Sequence, residues 1–287
     1  MLLRREIGGR VSDTVSGLSL RSVSGHRAGL LVFAVLVLLV SVVFLALPWP
    51  VEVKSLAALH GLCAQRPSHS FWFGESRLPF DARMTGIYGA FLATTGYLAG
   101  TGRWRRAGLP SWPVLSLLAG GVPALGIDGF NALFHDLGLQ VLYEPRNWLR
   151  FVTGSWTGVL LGVVVWMAAN AVVWRPGPLT SRAVLEGPRD LMRLVWLVGV
   201  LGVLVMSGWR LLYWPLAHGL VVAAATLLTL LALPVIQLLR RREQQVERLA
   251  ELGWPASGAL VVACAFMVTT SALRFLLERI AGLPALP

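Results

Sequence analysis

The segment Cys63-Ala-Gln-Arg-Pro-Ser-His-Ser-Phe-Trp-Phe-Gly-Glu-Ser-Arg-Leu-Pro-Phe-Asp-Ala-Arg-Met-Thr-Gly-Ile-Tyr88 sets a thiol, an imidazole, two carboxylates and three guanidiniums between apolar runs. His60 and Cys63 stand one helical turn apart. With His69 and Asp81 they form a set of donors suited to zinc or another transition metal. A Cys63 thiolate activated by His60 or His69 would instead be a nucleophile. The spacing matches no established zinc pattern, so no cofactor is expected from it alone.

A second group lies further along. Asp128, Asn131 and His135 are spaced i, i+3, i+7, and Asn147, Arg150 and Gly154 repeat that spacing at the start of the next apolar run. On helices each set forms a stripe, and the two stripes would sit at the ends of neighbouring antiparallel helices. An ionised Asp128 near the edge of the hydrocarbon needs a partner, with Arg150 the first candidate and Arg83 the second. Such a pair either locks helices together or lines a ligand site. Arg210, and Arg274 with Glu278 at i, i+4, extend the group from the C-terminal third, where end-of-helix arginines ordinarily snorkel.

The elements that must position these groups are membrane helices. Of 287 residues 56% are hydrophobic and only 14% charged, too apolar for one aqueous core. Apolar runs predict about seven transmembrane helices, at 29–48, 84–102, 112–134, 149–174, 192–213, 215–239 and 254–277. The expected fold is therefore all-α, a polytopic integral membrane bundle. Its expected parts are a basic leader (1–28), a four-helix membrane domain (29–174), a linker (175–191) and a three-helix C-terminal unit (192–287). Residues 67–81, with Pro67, Pro79 and Gly74, suggest a hairpin packed on the membrane, and Phe71, Trp72 and Phe73 suit its interface. Thr85, Gly86, Gly89, Ala93, Gly96 and Gly100 form a small-residue seam for a neighbouring helix.

Sixteen of the 25 Lys and Arg residues fall in the leader and in the second–third, fourth–fifth and sixth–seventh connections. The positive-inside rule makes these cytoplasmic, with the C-terminus extracytoplasmic, and a multi-pass cell-membrane protein follows. The net charge of +11 is thus topological, and no nucleic-acid partner is expected. The basic 238–248 segment reads as a stop-transfer flank able to meet anionic headgroups. Walker, dinucleotide-binding and HExxH motifs are missing from the sequence.

Four segments in order carry a resemblance: Cys63-Ala-Gln-Arg-Pro-Ser-His-Ser70, Asp81-Ala-Arg-Met-Thr-Gly-Ile-Tyr88, Asp128-Gly129 and Asn147-Trp-Leu-Arg-Phe-Val-Thr-Gly154. Over about residues 50–165 they resemble the predicted prokaryotic membrane proteins grouped as domain of unknown function 2085. That family's pattern reads Cys-His-Gln-x-x-x-x-Ser, Cys-x-Arg-Cys-Thr-Gly-Ile-Tyr, Asp-Gly, Asn-x-x-Arg-x-x-Thr-Gly. The resemblance implies a membrane protein without an assigned activity, and adds Gln65 and Tyr88 to the polar cluster of Arg83, Asp128, Asn131, Asn147 and Arg150. The family's Cys and His positions resemble a metal or redox site. Here Ala64, Asp81 and Met84 occupy three of the four, and Cys63 keeps the other.

The leading expectation is an outer polar cluster that binds or passes a small anion or a lipid headgroup. An accessory subunit docked on a membrane-protein partner is the alternative. A metal- or thiol-dependent intramembrane enzyme is the third reading, so enzymatic activity stays open.

Overall fold

Pro48 and Pro50 end the first apolar helix, since proline disfavours a helical residue before it and brings no N–H of its own. In the computed structural model, which describes the backbone of residues 3–282 and the side chains of residues 25–282, that helix is α1 (Leu3–Ala46). Lys54 of the short α2 (Val51–Leu59) caps it, donating to Leu45 O and Leu47 O at 3.1 Å each. A cation suits the negative end of a helix dipole.

The chain then forms the antiparallel hairpin β1 (Ser70–Phe73) and β2 (Ser76–Asp81), which turns at Gly74 with φ +70°. The hairpin is present, but it faces inward. Phe73, Leu78 and Phe80 are buried in the core with Phe151, Tyr213 and Met267, so Phe73 does not join an interfacial belt, while Trp72 is exposed.

Six longer or paired helices follow: α3 (Ala82–Gly100), α4 (Trp112–Ala119) with α5 (Gly121–Asp136), α6 (Asn147–Val173), α7 (Pro188–Met206), α8 (Tyr213–Leu239) and α9 (Gly253–Ile280). The third apolar run is broken between α4 and α5. Gly120 and Gly121 loosen the helix there, and Pro123 has no N–H for the carbonyl four residues back. Side chains of α6 take up carbonyls at the break: Trp156 Nε1 donates to Leu117 O at 2.9 Å, and Thr157 Oγ1 to Gly121 O at 3.0 Å. The fifth run also ends early. α7 stops at Met206, Gly208 turns with φ +62°, and Arg210–Leu212 form a 3₁₀ turn before α8, with Pro215 inside its first turn.

Among the described residues five segments are long and apolar enough to cross a membrane: Gly25–Ala46, Trp112–Asp136, Asn147–Val173, Arg210–Leu239 and Leu249–Ile280. α3 is more polar and lies inside the bundle, against α6, α7 and α8. Its tightest neighbour is α6, and glycines set the spacing. A Cβ on Gly154 would lie 2.2 Å from Arg83 O, one on Gly158 2.3 Å from Ile87 O, and one on Gly86 2.3 Å from Phe151 O. The seam therefore runs mainly along α6 as Gly154-x-x-x-Gly158-x-x-x-Gly162. Gly96 and Gly100 of α3, expected in it, have nothing within 4 Å of their would-be Cβ atoms.

The connections gather at two ends of the bundle. At one, residues 101–111, 174–187 and 240–252 interlock, through Ala107 N to Thr180 O at 2.9 Å and Arg175 N to Val246 O at 2.9 Å. Near that end Gly29 of α1 also meets Trp254. At the other lie the hairpin, the 137–146 loop, the 207–212 turn and the last turns of α9.

Gly154→Ala is expected to destabilise the protein by about 1–3 kcal/mol, the range for overpacking. Gly96→Ala, in open space, should leave stability unchanged or slightly raised. Thermal unfolding midpoints of the two variants in one detergent check this.

Candidate functional site

Asp81 ends β2 and starts α3. Its Oδ1 accepts Met84 N at 2.9 Å as an N-cap, and its Oδ2 accepts from Cys63 Sγ at 3.4 Å. Arg83, two residues on, leaves α3 where that helix touches Gly154 of α6. Its Nη2 donates to Asp128 Oδ2 at 2.6 Å. The buried Asp128 also accepts from Tyr143 Oη at 3.1 Å and lies 3.3 Å from Thr153 Oγ1. One carboxylate of α5 thus joins α3, α6 and the 137–146 loop. Asn131 holds that loop, accepting Leu142 N at 2.7 Å and donating to Tyr143 O at 2.8 Å.

Arg83, not Arg150, is therefore the partner of Asp128. The α3–α6 crossing fixes this, because it delivers the start of α3 to the carboxylate. Arg150 turns instead toward Asn147, donating from Nη1 to its Oδ1 at 2.9 Å. Asn147 in turn donates to Ser68 O at 3.2 Å and Ser70 O at 3.4 Å, tying α6 to the turn before the hairpin. Tyr88 stacks on Phe80 with ring centroids 4.5 Å apart.

Gln65 organises a neighbouring network from a left-handed backbone conformation, φ +54°. Its Nε2 donates to Leu56 O and Pro79 O at 2.9 Å each, which leaves Oε1 to accept His60 Nδ1 at 2.9 Å. Arg77 Nη1 donates to Gln65 O at 2.8 Å. The other face of His60 belongs to α9: Nε2 meets Glu278 Oε2 at 2.7 Å, and the ring stacks on Phe275 at 4.1 Å. Arg274 Nε donates to Glu278 Oε1 at 2.8 Å, and its Nη atoms reach His60 O at 2.6 Å, Ala64 O at 3.2 Å and Cys63 O.

Arg274 and Glu278 thus turn inward rather than snorkel, because the 60–64 turn presents carbonyls and an imidazole to them. Arg210 is exposed against Gly74. His135 is half exposed at the end of α5, 3.6 Å from Glu144, so the Asp128–Asn131 stripe does not extend to it.

The four metal-capable residues divide among different contacts. His60 bonds to Gln65 and Glu278, Cys63 meets Asp81, and His69 Nε2 lies 3.7 Å from Asp136, which Arg66 holds at 2.5 Å. Among the described residues no group of three or more His, Cys, Asp and Glu gathers as a metal would need. Burial, reinforced by the Asp81 carboxylate, pushes the Cys63 thiol up to about 12, unsuited to nucleophilic attack near neutrality. Burial and then the Arg150 charge hold His69 below its ordinary value, while burial and Asp128 raise the Tyr143 phenol, keeping it a donor.

Residues 63–165 match the family described as Predicted membrane protein (DUF2085). Comparison with curated proteins and with solved structures gave no match. The matched segment contains the hairpin and helices α3, α4 and α5 whole, and α6 as far as Val165. The Asp128 network and the Cys63–Asp81 contact lie entirely within it. His60, Arg274 and Glu278 lie outside it, and their latch docks α9 on its first residues. Sequence reasoning left out Tyr143 and Thr153. Thr153 had a readable signal, lying three residues past Arg150 on the same helix; Tyr143, on an irregular loop, had none.

Removing Asp128 strands Arg83, so Asp128→Ala is expected to cost toward the lower part of the ~3–5 kcal/mol range for breaking a buried pair. The double change Arg83→Met with Asp128→Leu should recover part of that loss in the same unfolding assay. Asp81→Asn keeps a capping side chain but removes the charge that opposes a Cys63 thiolate. The thiol pKa then falls, and alkylation of Cys63 at alkaline pH is expected to run faster than in wild type.

Proposed function

We propose that the chain crosses the cell membrane seven times, with the arginine-rich end cytoplasmic, and that its opposite end receives a small anion or an anionic headgroup at Arg150. In this reading α3 and α7 join the five apolar segments as crossings. The gathering of connections at two opposite ends of the bundle supports that count. The DUF2085-like unit carries the receiving residues, and the last three helices buttress it through Arg274 and Glu278.

One observation carries the binding proposal. Arg150 is only 6% exposed, yet among the described residues its guanidinium has one hydrogen-bond partner, Asn147, and no carboxylate within ion-pair reach. The neighbouring acids are engaged, Asp128 by Arg83 and Tyr143, Asp136 by Arg66. Arg83 adds a buried Nε without a partner. Cations held in so little water draw a counter-charge, and a guanidinium edge suits phosphate or carboxylate.

Titration of the purified protein with sn-glycerol 3-phosphate, read by calorimetry, tests the reading. Arg150→Gln, which leaves the Arg83–Asp128 pair intact, is expected to weaken binding about tenfold or more, the size of one lost charge-assisted contact. Equal affinity in wild type and variant would sink the proposal.

A further inference from the structure

Two of the three arginines that follow α3 are tied to acids. Arg103 bonds to Asp190 and lies 3.4 Å from Glu186, and Arg106 Nη1 donates to Glu186 Oε1 at 2.6 Å. Arg105, between them in sequence, differs. Among the described residues no hydrogen bond or ion pair engages its guanidinium, and its Nε is buried without a partner.

What holds Arg105 is aromatic. Its guanidinium carbon lies 4.6 Å from the ring centroid of Trp104 and 4.2 Å from that of Trp174, two indoles set edge to face. Such contacts fix the group in place through its π-surface and satisfy none of its five N–H donors. A charge positioned this way is preorganised for an acceptor that presents two oxygens to the guanidinium edge, as phosphate does.

Space for one lies beside it. Arg105 lines a cavity of about 210 Å³ with Trp174, Arg175, Thr180 and the Pro176-Gly177-Pro178 turn. The acid on that wall, Glu247, is occupied by Arg175. The cavity sits where the 101–111, 174–187 and 240–252 connections meet, and tryptophans there suit headgroup depth.

We infer that Arg105 and this cavity form a phosphate site at the arginine-rich end of the bundle, filled by an anionic phospholipid headgroup or by free phosphate. It is separate from the Arg150 cluster and stands without it.

Native mass spectrometry of the full-length protein, equilibrated with equal phosphatidylglycerol and phosphatidylcholine, reads the preference directly. Wild type is expected to retain phosphatidylglycerol preferentially, and Arg105→Gln to lose that preference about tenfold. Arg242→Gln, an exposed arginine of the same end, should keep it. In a second arm inorganic phosphate is added. Displacement of the lipid, with a rise in unfolding midpoint seen in wild type but not in Arg105→Gln, assigns free phosphate; retention of lipid without such a rise assigns the headgroup. Should Arg105→Gln fail to fold, Arg105→Lys carries the test, since an ammonium keeps the charge and loses the planar edge. Wild-type behaviour of the folded Arg105 variant in both arms overturns the inference.

Discussion

The contact on which the rest of the structure depends is the close approach of the α3 and α6 backbones. Gly154, Gly158 and Gly86 leave no room for a side chain at the crossing, so carbonyl oxygens stand where Cβ atoms would otherwise be. That proximity is itself a stabilising interaction, through dispersion along the whole contact line. It also sets the depth and rotation of α3, and therefore the position of every polar group at its start.

From that crossing the polar end follows. Asp81 caps α3 and touches Cys63; Arg83 reaches Asp128; Asp128 gathers Tyr143 and Thr153. Each carboxylate here has a structural occupation, which leaves the guanidinium of Arg150 and the Nε of Arg83 with capacity to spare. The Cys63 thiol is occupied in the same manner, bonded to Asp81 and accepting Gln65 N at 3.4 Å. Cys63 and Asp81, two positions of the pattern this segment resembles, are in contact. In this chain they form a hydrogen bond and a helix cap.

The two ends of the bundle use arginine differently. At the hairpin end, Arg274 collects the carbonyls of a turn and ties α9 to it. At the other end, Arg103 and Arg106 join the start of α7 to the loop after α3, and Arg105 rests on tryptophans. A charge paired to a carboxylate contributes to the fold and is spent there. A charge held only by aromatic rings or an amide keeps its donors free for a ligand.

Composition and hydropathy alone determined that this is a helical membrane protein, where its apolar runs lie, and that residues 63–154 carry its unusual polar groups. These properties are local, because each apolar run must satisfy its own backbone hydrogen bonds in lipid. The hairpin, too, was readable from Gly74 and its flanking residues. Which arginine meets Asp128 was decided by tertiary structure, since sequence spacing placed Arg150 nearest and could not register a glycine-set crossing from another helix. The inward turn of Arg274 and Glu278 was decided in the same way, by a turn more than two hundred residues away in the chain. Partner choice between helices depends on their rotation and separation, and those quantities exist only once the helices pack.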